Sequence, residues 1–134
     1  MVFFFSLILI VTSIVASIRL LFSPGKIKGK NVSIENFLFF AAIYATMMIS
    51  FGLMYFLLEL NGFAVLDDNF EKLGGSFFDR LETVLYFSAV TLFSVGYGEI
   101  APVGIGRIIA VFEALIGYTI PVAFVARTIF DMEK

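Results

Sequence analysis

Two stretches of this chain carry no charge at all, Met1 to Ile18 and Phe37 to Leu58. A helix rises about 1.5 Å per residue, so about 20 apolar residues cross a hydrocarbon layer of about 30 Å. Each run, with its apolar flanks, is long enough to do so. The rest of the chain could not hide them from water. Of the 134 residues 60% are hydrophobic and 15% charged, and the mean hydropathy is +1.03, whereas soluble domains carry about 25% charge. A water-soluble monomer and a disordered chain are both excluded. Histidine and cysteine are absent. That removes disulfides, Cys/His metal sites and Cys or Ser-His nucleophiles. A net charge of −2 without a basic stripe gives nucleic acid no footing.

The first run reads as a transmembrane helix over 1–22. No basic residue precedes it and no small-x-small site follows, which argues against a cleaved signal. Ser23, Pro24 and Gly25 stop it. A basic linker over 23–33 follows, with Lys26, Lys28 and Lys30, and Ser33 is placed to cap a second helix over 35–60. The segment 61–78 reads as an exposed acidic loop. Its Asp67, Asp68 and Glu71 favour cations in general, but their spacing specifies no metal site.

Asp79 and Glu82 read as a capping box opening a third helix over 79–93. Its apolar part, Thr83 to Phe93, reaches only about 16 Å, half the depth of a bilayer core, which suits a re-entrant segment. It runs into Ser94-Val95-Gly96-Tyr97-Gly98-Glu99, where two glycines oppose a continuing helix. A last helix over 105–131 contains Glu113, Gly117 and Pro121. Arg19, Lys26, Lys28, Lys30, Arg127 and Lys134 fall on one side of such a membrane arrangement, and Lys72, Arg80 and Arg107 on the other. The excess of basic residues belongs in the cytoplasm, so the N-terminus is expected outside and the C-terminus inside, in a multi-pass protein of the plasma membrane.

Irregular backbone at membrane depth needs protein or a water-filled path to satisfy its polar groups. Glycines alternating with Val95 and Tyr97 let successive carbonyls turn toward one axis, where they can replace the hydration shell of an alkali cation. At this point the chain resembles the potassium-channel family, whose filter is written T-V-G-Y-G-D. The likeness runs from about Phe37 to Phe130, through Leu85 to Leu92, the filter residues, Pro102, Gly106-Arg107 and Gly117.

The resemblance implies an all-α integral membrane fold: three transmembrane helices, a re-entrant pore helix and a selectivity-filter loop, with a pore domain over 34–134 and the filter over 94–99. It implies a homotetramer, so the partners are three further copies of the chain and membrane lipids. No cofactor is implied, only K+ as bound and permeant ion. The carbonyls of Ser94, Val95, Gly96 and Tyr97 and the Ser94 hydroxyl would bind K+, with Gly98 completing the filter. Tyr86, Phe87, Val90, Thr91 and Glu99 would support it. Ser94 and Glu99 depart from the usual threonine and aspartate.

Gly117 matches the family's gating hinge, and Pro121 removes a backbone hydrogen bond a turn later. Close helix packing is the other use of Gly117. Glu113, an ionisable group inside a span, must face protein or water and is expected to brace the back of the pore helix. The sequence thus predicts a potassium-selective channel and no enzyme. A non-selective monovalent cation channel and a non-conducting, pore-like membrane adaptor are the alternatives.

Overall fold

The computed structural model describes residues 1–21, 34–68, 71–72 and 75–132. The basic linker with Lys26, Lys28 and Lys30, the Ser23-Pro24-Gly25 stop and the Ser33 cap lie outside the described residues. Four helices form the frame: α1 (Val2–Leu21), α2 (Ile34–Leu60), α3 (Phe77–Leu92) and α4 (Gly106–Met132). The segments Val2–Leu20, Phe37–Leu60 and Gly106–Ala123 are long and apolar enough to cross a membrane. α3, at 16 residues, is only about 24 Å long and falls short of crossing. The molecule is therefore an integral membrane protein with three spans and one half-length helix.

α2 is the central post, because its two sides bind different neighbours. One side carries Ile43, Met47 and Ser50, all buried. α1 packs along α2 and buries Ile10, Ile14 and Ser17; the Ser50 hydroxyl donates to the Thr46 carbonyl at 2.7 Å, and its oxygen lies 3.3 Å from Ser13 Oγ on α1. The other side, at positions 48, 52, 55 and 56, follows the helical repeat and meets α3. The Tyr55 ring packs edge-on against Phe87 with centroids 5.2 Å apart. Phe56 meets Phe77 in the same way at 4.9 Å. Gly52 makes room for α3, since a Cβ there would lie 2.6 Å from Leu85 Cδ2.

The start of α3 differs from the sequence expectation. Ser76 is the N-cap and Asp79 is the third helical residue, so the capping box is Ser76/Asp79 rather than Asp79/Glu82. The Ser76 N–H donates to Asp79 Oδ2 at 2.8 Å, and the Asp79 N–H donates to Ser76 Oγ at 3.4 Å. The helix starts two residues earlier than expected because a serine cap leaves its acidic partner inside the first turn, where it also favours the helix dipole.

The expected loop over 61–78 is also corrected. It contains strands β1 (Leu66–Asp68) and β2 (Glu71–Lys72), which join β3 (Ile100–Pro102) in a three-stranded antiparallel sheet of order β2-β1-β3. Asp67 pairs with Ala101 on one side and with Lys72 on the other. The Val103 N–H extends the ladder to the Val65 carbonyl at 2.8 Å. β3 follows the loop 94–99 directly, so this sheet ties the segment after α2 to the end of that loop. Gly106 lets α4 start against it, as a Cβ there would lie 2.1 Å from the Val65 carbonyl oxygen.

Candidate functional site

The segment 94–99, the expected filter, grows out of the end of α3. The Phe93 N–H donates to the Ala89 carbonyl at 2.9 Å, Ser94 to Thr91 at 3.0 Å, and Val95 and Gly96 both to Val90, at 2.8 and 3.1 Å. The Ala89, Val90 and Thr91 carbonyls, which a helix end leaves without partners, are thus satisfied by the chain doubling back over them. Beyond that turn the backbone alternates. Ser94, Gly96 and Gly98 have φ of +57°, +55° and +83°, while Val95 and Tyr97 between them keep ordinary negative values. The N–H groups of Ser94, Val95 and Gly96 are all turned back onto the end of α3. Gly96 and Gly98 adopt positive φ without a Cβ penalty. Ser94 bears a side chain in this sparsely populated region, a form of strain found where structure serves function. Residues 93–99 are all exposed in the single chain.

The supporting residues fall into two groups. On the filter side, the Tyr86 hydroxyl donates to Glu99 Oε1. The longer side chain of Glu99 therefore finds a partner on α3, while Val90 lies nearby without a polar group to offer. Tyr86, Val90, Thr91, Tyr97, Glu99 and Arg107 line one open cavity of about 560 Å³ between α3, the filter and α4. On the far side of α3, Val84, Phe87, Ser88 and Leu92 are buried. Phe87 meets Tyr55 edge-on, so the pair Tyr86-Phe87 serves two different surroundings.

Glu113 is fully buried on α4. Tyr55 donates to its Oε2 at 2.8 Å, and the Ser88 hydroxyl lies 2.5 Å from its Oε1. Ser88 Oγ also reaches the Met48 carbonyl at 2.8 Å. One carboxyl group thereby joins α4 to α2 and to the back of α3, as a buried polar group must. Gly117 gives a second close contact, since a Cβ there would lie 1.9 Å from the Leu92 carbonyl oxygen. In this conformation its missing side chain serves packing. Pro121 sits one turn further along α4.

Sequence reasoning missed Ser88, Tyr55 and Glu59. The first two are the hydroxyl donors that a buried Glu113 requires, and that requirement was the available signal. Glu59, at the end of α2, accepts the Val65 and Leu66 N–H groups at 2.8 and 3.2 Å and pairs with Arg80 at 3.7 Å. It fastens the sheet and the first turn of α3 to α2. Among the described residues no group of three or more His, Cys, Asp or Glu is arranged to hold a metal ion.

Three membrane-length helices, a half-length helix and an alternating loop after it define a pore-loop membrane protein. A family profile described as "Ion channel" matches residues 43–133, and the chain belongs to this family of pore-loop ion channels. It is 37% identical over 126 residues to Protein LctB of Geobacillus stearothermophilus, covering 93% of this chain and 94% of that one. It is 43% identical over 90 residues to Protein LctB of Bacillus caldotenax, covering 67% of each. No solved structure matches it significantly. The family match begins at Ile43 and so leaves α1 outside it.

Proposed function

We propose that four copies of this chain form a potassium-selective channel that conducts K+ passively through a ring of backbone carbonyls. The observation that carries the reading is the alternation of φ at Ser94, Gly96 and Gly98 directly after a half-length helix. A single copy offers one row of carbonyls. Four copies about an axis offer stacked rings, with the Ser94 hydroxyls as the innermost one, and these replace the water shell of a dehydrated cation. Ser94, Val95, Gly96 and Tyr97 are the K+ ligands in this reading, and Gly98 completes the row. The C-terminal ends of the four α3 helices then converge below the filter, where their partial negative charge favours a cation.

α4 supports the assembly from the inside. Ile108, Val111, Leu115, Tyr118, Val122 and Val125 are exposed apolar residues at alternating spacings of three and four, a seam of the kind that lines helix bundles. Glu113 and Glu99 brace the filter helix and filter exit, and Gly117 and Pro121 are the points at which α4 can change its course. The basic linker and the C-terminal end face the cytoplasm, and the β-sheet faces outward, in the plasma membrane. The channel moves ions down their gradient and makes or breaks no covalent bond.

Rubidium uptake into vesicles containing the purified protein tests this. Uptake that external potassium competes away and sodium does not is the expected result. Equal uptake of sodium would leave a channel without potassium selectivity, and no uptake of either ion would favour the non-conducting adaptor.

A further inference from the structure

Tyr44 on α2 makes two contacts that the channel reading does not use. Its hydroxyl donates to the Gly117 carbonyl oxygen at 2.9 Å. Its ring stacks on Phe93, with centroids 5.6 Å apart and planes 10° from parallel. Phe93 caps the C-terminus of α3 and immediately precedes Ser94.

The Gly117 carbonyl has a specific need for a donor. Inside a helix it would accept the N–H of the residue four positions on. That residue is Pro121, which has no N–H, and a proline ring crowds the carbonyl four residues back. A carbonyl deprived of its helical partner at membrane depth must find another donor. Gly117 also lies against the Leu92 backbone, since a Cβ there would fall 1.9 Å from the Leu92 carbonyl oxygen. One side chain of α2 therefore touches both the base of the filter loop and the turn where α4 lacks a hydrogen bond.

We propose that Tyr44 is a positioning residue that replaces the hydrogen bond missing at Pro121 and holds α4 against the base of the filter. When the hydroxyl lets go, the Gly117–Pro121 turn is free to bend, and its carbonyl turns to water or another hydroxyl. The bond thus biases an equilibrium between two courses of α4. Losing one neutral hydrogen bond of about 1 kcal/mol shifts such an equilibrium about fivefold. The effect on conduction rests on the channel reading, whereas the bond itself does not.

Tyr44→Phe keeps the ring and its stack on Phe93 and removes only the hydroxyl. Pro121→Ala returns an N–H to α4, so the Gly117 carbonyl regains a helical partner and the Tyr44 hydroxyl becomes redundant. The full chain in bilayers is compared as wild type, the two single variants and the double variant. Single-channel recording gives open probability and unitary conductance, and hydrogen exchange follows the α4 amides around Gly117 and Pro121.

Tyr44→Phe is expected to shift open probability about fivefold for each copy whose α4 moves, at constant unitary conductance, and to speed exchange in that turn. In the Pro121→Ala background the same substitution should do neither. An equal effect in both backgrounds, or none in the wild type, overturns the proposal. If no variant and no wild type conducts, the channel reading fails, and the exchange comparison still decides the coupling. If Pro121→Ala fails to assemble, exchange in Tyr44→Phe alone decides: acceleration confined to the Gly117–Pro121 turn supports the proposal, and none or a general acceleration overturns it.

Discussion

The two sides of α4 obey different rules. On one side Ala110, Glu113, Gly117 and Ile120 are buried against the rest of the chain, and nearly every contact is specific. A carboxyl group meets two hydroxyls, and a missing Cβ admits a neighbouring backbone. On the other side the stripe from Ile108 to Val125 is exposed and apolar, and the single chain gives it no particular partner. The proposed filter, 94–99, belongs with this second side, being exposed throughout. The contrast teaches that the contacts seen within one chain brace the back of α3 and of the loop after it, whereas the surfaces that would form the proposed conduction path are left open for other copies.

The strongest blow to this contrast falls on the open side. Gly96→Ala should abolish selective rubidium uptake. A Cβ at Gly96 meets nothing within 4 Å in the single chain, so the damage comes from its φ of +55°. Left-handed backbone costs a non-glycine residue about 1–2 kcal/mol, and four copies multiply this to about 4–8 kcal/mol in one filter. Uptake within twofold of wild type would show that the alternating backbone is not the conducting element.

The natural absence of cysteine allows the two sides to be compared directly with single introduced thiols. Leu115→Cys or Tyr118→Cys should react with a charged, membrane-impermeant thiol reagent and lose at least about tenfold in flux if water lines that side. A cysteine at the buried Ile120 should remain inert. Equal reactivity at both places would erase the distinction.

Gly117→Ala probes the packed side. Its Cβ would overlap the Leu92 carbonyl oxygen, and inserting a methyl group against fixed backbone should lower stability by about 3 kcal/mol. Thermal unfolding of the detergent-solubilised protein reads this. An unchanged midpoint would mean that α4 does not sit this close to α3.

The smallest effect belongs to the start of α3. Ser76→Ala should cost about 1 kcal/mol through the lost cap. The Ser76 N–H and hydroxyl hold the Asp79 carboxyl below the usual carboxylate range. A carboxyl with a lowered folded-state value stabilises the protein above its ordinary value, and that contribution is lost as pH falls through the lowered one. Wild type should therefore lose more stability on acidification than Ser76→Ala does, as measured by unfolding midpoints across the acid range.

How much of this was legible beforehand depends on the range of each interaction. α2 and α4 announce themselves because long apolar runs are strong signals, and their ends fall within a residue of expectation. The capping box was misplaced by three residues because Phe77 and Phe78 separate Ser76 from Asp79, and acids at 79 and 82 offered the same pattern. The strands were invisible. Two- and three-residue strands have no period to detect, and β1 is held partly by β3, which arrives from beyond the filter. The need of Glu113 for partners could be read from its place in an apolar run. Ser88 and Tyr55 could not be assigned to it, because the sequence does not say how neighbouring helices are rotated toward one another. Tyr44 and Gly117, 73 positions apart, are hidden for the same reason.

The reversal potential of the purified protein in a planar bilayer, with potassium on one side and sodium on the other, is the most direct measurement. Peptide carbonyls that strip the water from K+ but not from Na+ predict a potential close to the potassium equilibrium value. A reversal near zero, with robust current, would contradict that selectivity and leave only an unselective pore.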